Sequence, residues 1–272
     1  MTAEEIRERL KASGIANYAL ETEILIEEIC GKRLQGMSEG FDYSAPELIS
    51  AVEKRCERYP LQYIIGKWWL ARCEFFVNES TLVPRSDTET VIELAAKLLP
   101  KNAVFADLCT GSGCIAISII DLRPDTVADA YELYPDTLDM AKKNAEHNSV
   151  GDRFTPILGD VLKKETLGDK KYSAIISNPP YIRTDVIETL ETEAKTEPRA
   201  ALDGGKDGLI FYREIVKNFA ENLENDGFFL FEIGFDQAED LHSIADSNGF
   251  SCQIYKDLGG CDRAALLSKK DN

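Results

Sequence analysis

The chain has 272 residues, 44% of them apolar, which is enough for one large or two ordinary soluble globular domains with a real core. Its 48 acidic side chains outnumber 31 basic ones for a formal charge of -17, so the average surface repels phosphate backbones and bulk nucleic-acid binding is disfavoured. The seven cysteines are scattered, with no Cys-x-x-Cys and only His147 and His242 to join them, so neither a disulfide framework nor a metal site is expected.

Taken from the start, Met1-Thr2-Ala3-Glu4-Glu5 opens an acidic helix and lacks the basic start and apolar core of a signal peptide. No apolar run approaches a membrane span, so a cytoplasmic protein with no membrane partner is expected. Ile6 and Leu10, then Ala19, Leu20, Ile24, Leu25 and Ile29, then Leu48, Ile49, Val52 and Cys56 fall on helical spacing. Gly14, Gly31 and the stretch from Gly36 to Ser44 are the breaks between these helices, and Pro46 suits a first helical turn. Residues 1–59 are therefore expected to form a small helical bundle. Pro60 opens Leu61-Gln62-Tyr63-Ile64-Ile65-Gly66, followed by Trp68-Trp69-Leu70 and Glu74-Phe75-Phe76-Val77, aromatic and β-branched segments suited to a hairpin. Residues 60–86 are read as a β-hairpin connection, in which Trp68 and Trp69 serve packing.

From Asp87 helices alternate with short apolar runs, the pattern of an α/β domain over 87–272 with a mostly parallel sheet. Strands are expected at 103–108, 126–132, 153–158, 173–177, 226–234, 250–256 and 263–268, and helices around 87–99, 113–121, 136–148, 208–224 and 236–247. The polar stretch 182–207 carries Pro198 and Gly204-Gly205; it is long for a structureless connection, and such loops are often functional.

Four strand ends carry chemistry. Asp107 closes the first strand, and Cys109-Thr110-Gly111-Ser112-Gly113 turns it into a helix, a geometry that lets a ligand approach the backbone and the helix N-terminus. The third glycine of a dinucleotide fingerprint is missing, so a Rossmann dehydrogenase is a poor fit. Glu132 closes the next strand about 20 residues on, where a ribose diol is held in this topology; a solvated strand-end carboxylate is the bland alternative. Gly159-Asp160-Val161 closes the third, and its carboxylate could accept from an adenine amine.

Ser177-Asn178-Pro179-Pro180-Tyr181 closes the fourth strand. Prolines lack an N–H, so this loop offers acceptors and few donors. A planar NH2 group could give one hydrogen to the Asn178 side-chain oxygen and one to the Pro179 carbonyl, leaving the nitrogen lone pair aimed outward. Taken alone, the loop also reads as a strand-ending turn. Ligands in open α/β sheets bind outside the carboxyl ends of the strands, so the four clues coincide at one place.

These residues resemble the S-adenosylmethionine-dependent class I methyltransferases that modify planar amino groups. The resemblance narrows at Pro60-Leu61-Gln62-Tyr63-Ile64-Ile65-Gly66, Leu82-Val83-Pro84-Arg85-Ser86-Asp87-Thr88-Glu89-Thr90 and Glu197-Pro198-Arg199-Ala200-Ala201-Leu202-Asp203-Gly204-Gly205, which are similar to signatures of the peptide-chain release factor glutamine methyltransferases. Phe231-Glu232-Ile233-Gly234 with Gln237, and Asp257-Leu258-Gly259-Gly260 with Arg263, fit the same family's last strands. The resemblance implies a seven-stranded Rossmann-like sheet, mostly parallel with an antiparallel last strand, behind an N-terminal helical domain. It implies that Asp107 and Cys109 to Gly113 wrap the methionine part of S-adenosylmethionine, that Glu132 holds the ribose, and that Asp160 and Val161 border the adenine. Asn178 and the Pro179 carbonyl would hold a glutamine amide, with Pro180 and Tyr181 beside it. The N-terminal bundle and the 182–207 loop would grip a class I release factor. Cys109, Ser86 and Glu132 depart from the family's usual glycine, proline and aspartate.

The implied reaction is methyl transfer to the amide nitrogen of the glutamine in a Gly-Gly-Gln motif. Two acceptors that each bind one N–H favour the pyramidal, electron-rich nitrogen of the transition state over the planar ground state. A DNA adenine methyltransferase is the alternative, since the adenine amine is also a planar NH2; it would need to flip a base and neutralise phosphates, for which this chain has no charge. A catalytically silent cofactor-binding scaffold is a third reading, against which the intact amide and acidic positions argue.

Overall fold

The computed structural model of the chain describes residues 1–31, 43 and 45–270. The break read at 36–44 therefore lies, apart from Tyr43, outside the described residues. The chain divides into two compact units, one of residues 1–67 and 190–196, the other of residues 68–189 and 197–272.

The first unit is helical. α1 (Ala3–Ala12) starts at a reciprocal cap, in which the Thr2 hydroxyl accepts the Glu5 N–H and the Glu5 carboxylate accepts the Thr2 N–H. α2 (Tyr18–Cys30) stops at Gly31, whose φ of 63° is the left-handed end that glycine adopts without strain. α3 (Pro46–Cys56) begins with the proline expected there. Arg55 on α3 is buried and donates to Glu21 at 2.6 Å and to Glu193 at 3.0 Å, while Arg58 reaches Glu193 at 2.8 Å. The segment 61–65, expected in the hairpin, is instead the short helix α4 (Leu61–Ile65). Its β-branched and aromatic residues suggest a strand, but Leu61 and Tyr63 are buried and the Pro60 carbonyl accepts the Tyr63 and Ile64 N–H groups, so packing overrides propensity.

The second unit begins with β1 (Lys67–Leu70) and β2 (Cys73–Phe76), which form a two-stranded sheet. After a 3-10 turn at Ser86–Thr88 come α5 (Glu89–Leu98), β3 (Val104–Leu108), α6 (Cys114–Leu122), β4 (Val127–Glu132), α7 (Pro135–His147), β5 (Phe154–Leu158) and β6 (Tyr172–Ser177). The 182–207 stretch contains a 3-10 turn at Ile187–Thr189, then α8 (Thr192–Thr196), which belongs to the first unit, and α9 (Arg199–Leu202). α10 (Ile210–Phe219), β7 (Leu223–Glu232), α11 (Ala238–Ser247), β8 (Phe250–Lys256) and β9 (Asp262–Lys269) complete the chain. α10 is shorter than the 208–224 helix expected. The side-chain amide of Asn222 donates to the Gly168 and Lys170 carbonyls, and that bond draws 220–222 into a 3-10 turn and starts β7 early.

The sheet order is β5-β4-β3-β6-β7-β9-β8. Strands β5 to β7 run parallel, and β9 lies antiparallel between β7 and β8. This is the class I methyltransferase arrangement. Every residue of β6 is buried, which is why that strand reads as an unbroken apolar run. Two apolar layers cover the sheet, one built around Phe105, Ile117 and Ile176 and the other around Ile175, Tyr212 and Phe229. β3 pairs with both β4 and β6, so the direction of winding reverses beside it; that is where a ligand crevice forms in such sheets.

Candidate active site

The turn after β3 is set by left-handed backbone. Cys109, Gly111 and Gly113 have φ of 57°, 58° and 81°, and a Cβ on Gly113 would stand 2.8 Å from Ile117 Cδ1. Of these three only Cys109 carries a side chain, and its thiol is pushed well above the usual range by burial and then by the nearby Glu132 carboxylate, which keeps it an unreactive SH. Asp107, wholly buried, braces the turn from below. Its Oδ2 accepts the Thr110 hydroxyl at 2.6 Å and the Ala116 N–H at 3.3 Å, while Oδ1 has no partner. Desolvation pushes this carboxyl up to about 7, against the two hydrogen bonds and with a small push from Glu132.

Glu132, at the end of β4, faces the same turn. Its Oε2 accepts the Gly111 N–H at 3.1 Å, and its Oε1 accepts the Leu133 and Tyr134 N–H groups at 2.8 and 3.2 Å. It is nearly buried, and desolvation raises its pKa although the three N–H groups oppose the shift. After β5, Asp160 Oδ1 accepts the Leu162 N–H at 3.0 Å and Val161 is buried. Behind them Tyr131 and Tyr172 share a 2.7 Å hydrogen bond, and Tyr172 donates to Asp129 at 2.8 Å, so the wall between β4 and β6 is rigid.

The loop after β6 is held from three sides. The Ser177 hydroxyl donates to the Leu108 carbonyl at 2.6 Å, which ties the loop's root to the glycine turn. The Tyr181 hydroxyl donates to Glu232 Oε1 at 3.3 Å; Thr88 donates to the other oxygen of that buried carboxylate at 2.6 Å. Burial raises the pKa of Glu232 and pushes the Tyr181 phenol well up. The Gln237 amide donates to the Tyr181 carbonyl at 3.1 Å and the Gly208 carbonyl at 3.2 Å. Two glycines permit this closeness: a Cβ would fall 2.3 Å from the Tyr181 carbonyl oxygen at Gly208 and 2.7 Å from the Pro180 oxygen at Gly204. Pro179 and Pro180 are buried and Asn178 is half-buried. The Asn178 side-chain amide has no hydrogen-bond partner among the described residues, in a loop held at Ser177 and Tyr181.

These elements enclose a cavity of about 150 Å³. Cys109, Thr110, Gly111, Ser112, Glu132, Asp160, Val161, Asn178 and Pro180 line it as expected from the sequence. Asp107, Gly113, Pro179 and Tyr181 do not: Asp107 and Gly113 support the turn from beneath, and Tyr181 turns toward Glu232. The remaining wall is built by Leu82, Val83, Pro84 and Arg85 together with Pro198, Ala200 and Ala201. Glu197 joins these strips, because its buried carboxylate accepts the Val83 N–H at 3.2 Å and pairs with Arg85. The sequence reading gives no role to Thr88, Glu197, Glu232 or Gln237. Their signal was their place in the Pro-Arg-Ser-Asp-Thr, Glu-Pro and Phe-Glu-Ile-Gly stretches, whose contacts only the fold displays.

The chain is similar to known proteins over most of its length. The family described as "Methyltransferase small domain" matches residues 86–205, and "PrmC N-terminal domain" matches residues 3–66. A release factor glutamine methyltransferase of Geobacter sulfurreducens is 39% identical over 261 residues, covering 93% of this chain and 90% of that one. Its counterpart in Moorella thermoacetica is 34% identical over 272 residues, covering 97% and 95%. Among solved structures, a methyltransferase from Pyrococcus furiosus superposes with a TM-score of 0.54 at 18% identity, over 73% of this chain and 90% of that one, a likeness of fold.

Proposed function

The chain belongs to the release factor glutamine methyltransferases, and from that membership we propose that it methylates the side-chain amide nitrogen of the glutamine in the Gly-Gly-Gln motif of class I peptide-chain release factors, with S-adenosylmethionine as donor. The observation that carries this reading is the Asn178 amide, without a partner among the described residues and lining one cavity with the glycine turn and Glu132. A DNA substrate is disfavoured by the net charge of -17 and by the names of the relatives.

The residues present fit the donor. The Ser112 hydroxyl is buried at the cavity with no partner, the left-handed turn brings backbone rather than side chains to its surface, and Glu132 offers carboxylate oxygens at the mouth of β4. Cys109 to Ser112 would hold the methionine portion, Glu132 the ribose, and Asp160 and Val161 the adenine edge. When bound, S-adenosylmethionine supplies an electrophilic methyl group on sulfur. The Asn178 side-chain oxygen and the Pro179 carbonyl would each accept one N–H of the substrate amide, orienting the nitrogen lone pair and favouring its pyramidal form. The nitrogen so held would take the methyl group as its bond to sulfur breaks, and the surplus proton would pass to water. Holding nitrogen and methyl in line adds an orientational effect on the order of 7 kcal/mol in favourable cases.

Replacing Asn178 by alanine should leave S-adenosylmethionine affinity intact and lower methylation of a release factor by about 10²–10³. Turnover close to that of the unaltered enzyme would remove Asn178 from the mechanism. Label from methyl-labelled donor should enter the release factor and vanish when its Gly-Gly-Gln glutamine is changed; label in DNA would overturn the reading.

A further inference from the structure

The carboxyl edge of the large sheet is unequally used. In the order β5-β4-β3-β6-β7-β9-β8, the turns after β5, β4, β3 and β6 line the cavity, whereas the turns after β7 and β8 contribute nothing to it. β8 runs in the same direction as β7, since both are antiparallel to β9, so both turns open on the edge that carries Asn178. Each displays one bulky apolar side chain, Phe235 at 69% exposure and Leu258 at 107%.

Neither side chain sits on a loose loop. Phe235 lies between Gly234, whose N–H donates to Gln237 Oε1 at 2.9 Å, and Gln237 itself, whose amide holds the Tyr181 carbonyl. The turn bearing Leu258 is closed by the Asp257 N–H donating to the Cys261 carbonyl at 2.9 Å and by the Cys261 N–H donating to Asp257 Oδ1 at 3.0 Å. Arg263 links the two turns, donating to Asp257 Oδ2 at 3.2 Å and to the Ile233 carbonyl at 3.4 Å. Rigid turns that hold apolar side chains in water keep apolar area unburied, a pattern that marks an interaction site when such residues gather beside a functional loop.

Resting on the proposed release-factor reading, we infer that Phe235 and Leu258 form the platform on which the polypeptide flanking the target glutamine lies. The donor side of β6 is taken up by the cavity, so an acceptor amide reaching Asn178 has the β7–β8 side for the rest of its chain. Glycines beside the glutamine offer no side chains to grip. Flat apolar surfaces can pack on their exposed backbone, and a segment without side chains can approach them closely. The platform thus reads the glycine-rich character of the segment, while Asn178 reads the amide.

The test is steady-state methylation of an intact release factor by the Phe235→Ser, Leu258→Ser double variant. KM for the release factor should rise about tenfold or more, because each exposed anchor would contribute as an interface contact does. kcat, S-adenosylmethionine affinity and the thermal midpoint should stay unchanged, a split that a folding defect would not produce. An unchanged KM overturns the platform while leaving the proposed function standing, as does a finding that the substitutions only dissociate a dimer of the enzyme. Failure of the unaltered enzyme to methylate the release factor overturns the function itself and the platform with it.

Discussion

Asp107 turns burial into pH dependence. Its carboxyl titrates near 7 in the fold against an ordinary value of 3.8, so the folded protein prefers it neutral. The favourable contribution of the neutral form is complete below 3.8 and disappears as pH rises toward 7, above which a charge must be kept inside the β3 layer. Asp107→Asn cannot ionise, and it retains an oxygen for Thr110 and Ala116. Its amide hydrogens face the place where Oδ1 had no partner, a cost that is the same at every pH. The stability of the variant relative to the parent should therefore climb between pH 4 and pH 8, by at most roughly 4 kcal/mol at about 1.4 per pKa unit. Urea unfolding at the two pH values measures it, and a pH-independent difference would assign the ionised form no cost. At this scale the sequence exposed the residues at strand ends: spacing alone brought Glu132, Asp160 and Asn178 to one edge, where all three line the cavity. Thr88, Glu232 and Gln237 stayed hidden because their partners lie 144, 51 and 56 residues away, and no local pattern encodes such a meeting.

Among the elements, the parallel strands were legible because burial on both faces leaves unmixed apolar runs, as in β6. α4 was not, since five residues show too little periodicity to separate a helical turn from a strand, and the decision fell to the packing of Leu61 and Tyr63. The 182–207 stretch was legible as long and polar but not as a clasp. Its backbone closes on itself, the Ile182 N–H donating to the Leu202 carbonyl at 2.9 Å and the Gly204 N–H to the Ile182 carbonyl at 2.8 Å, and this brings Gly204 against Pro180 and Tyr181 of the amide loop. Gly208→Ala should strain this clasp, because φ is 75° and the new Cβ would meet the Tyr181 carbonyl at 2.3 Å. A loss of about 2–4 kcal/mol together with reduced turnover is expected. Gly249→Ala is the control: its φ is 80° but nothing lies within 4 Å, so it should cost only about 1 kcal/mol and leave turnover alone. Equal effects from the two substitutions would show that contact with the amide loop is immaterial.

Over the whole molecule, the helical unit has an ion cluster of its own. Arg55 gathers Glu21 and Glu193 inside the helical unit, and with Arg55→Ala both acids lose a charged partner in a largely buried setting. The helical unit should lose about 2–4 kcal/mol, read as an earlier transition in calorimetry, while S-adenosylmethionine affinity stays unchanged. A single unshifted transition would deny the ion cluster its structural weight. None of the helices among the described residues is long and apolar enough to cross a membrane. The division was legible as helices followed by α/β, but nothing in the residues of 190–196 announces that this piece belongs with the first unit, where Glu193 meets an arginine 138 residues away. The chain consequently crosses between the units three times, after residues 67, 189 and 196. A cut at the first crossing would leave α8 with the sheet and strip Glu193 of Arg55 and Arg58, so removing the helical unit whole takes a second change between residues 189 and 197.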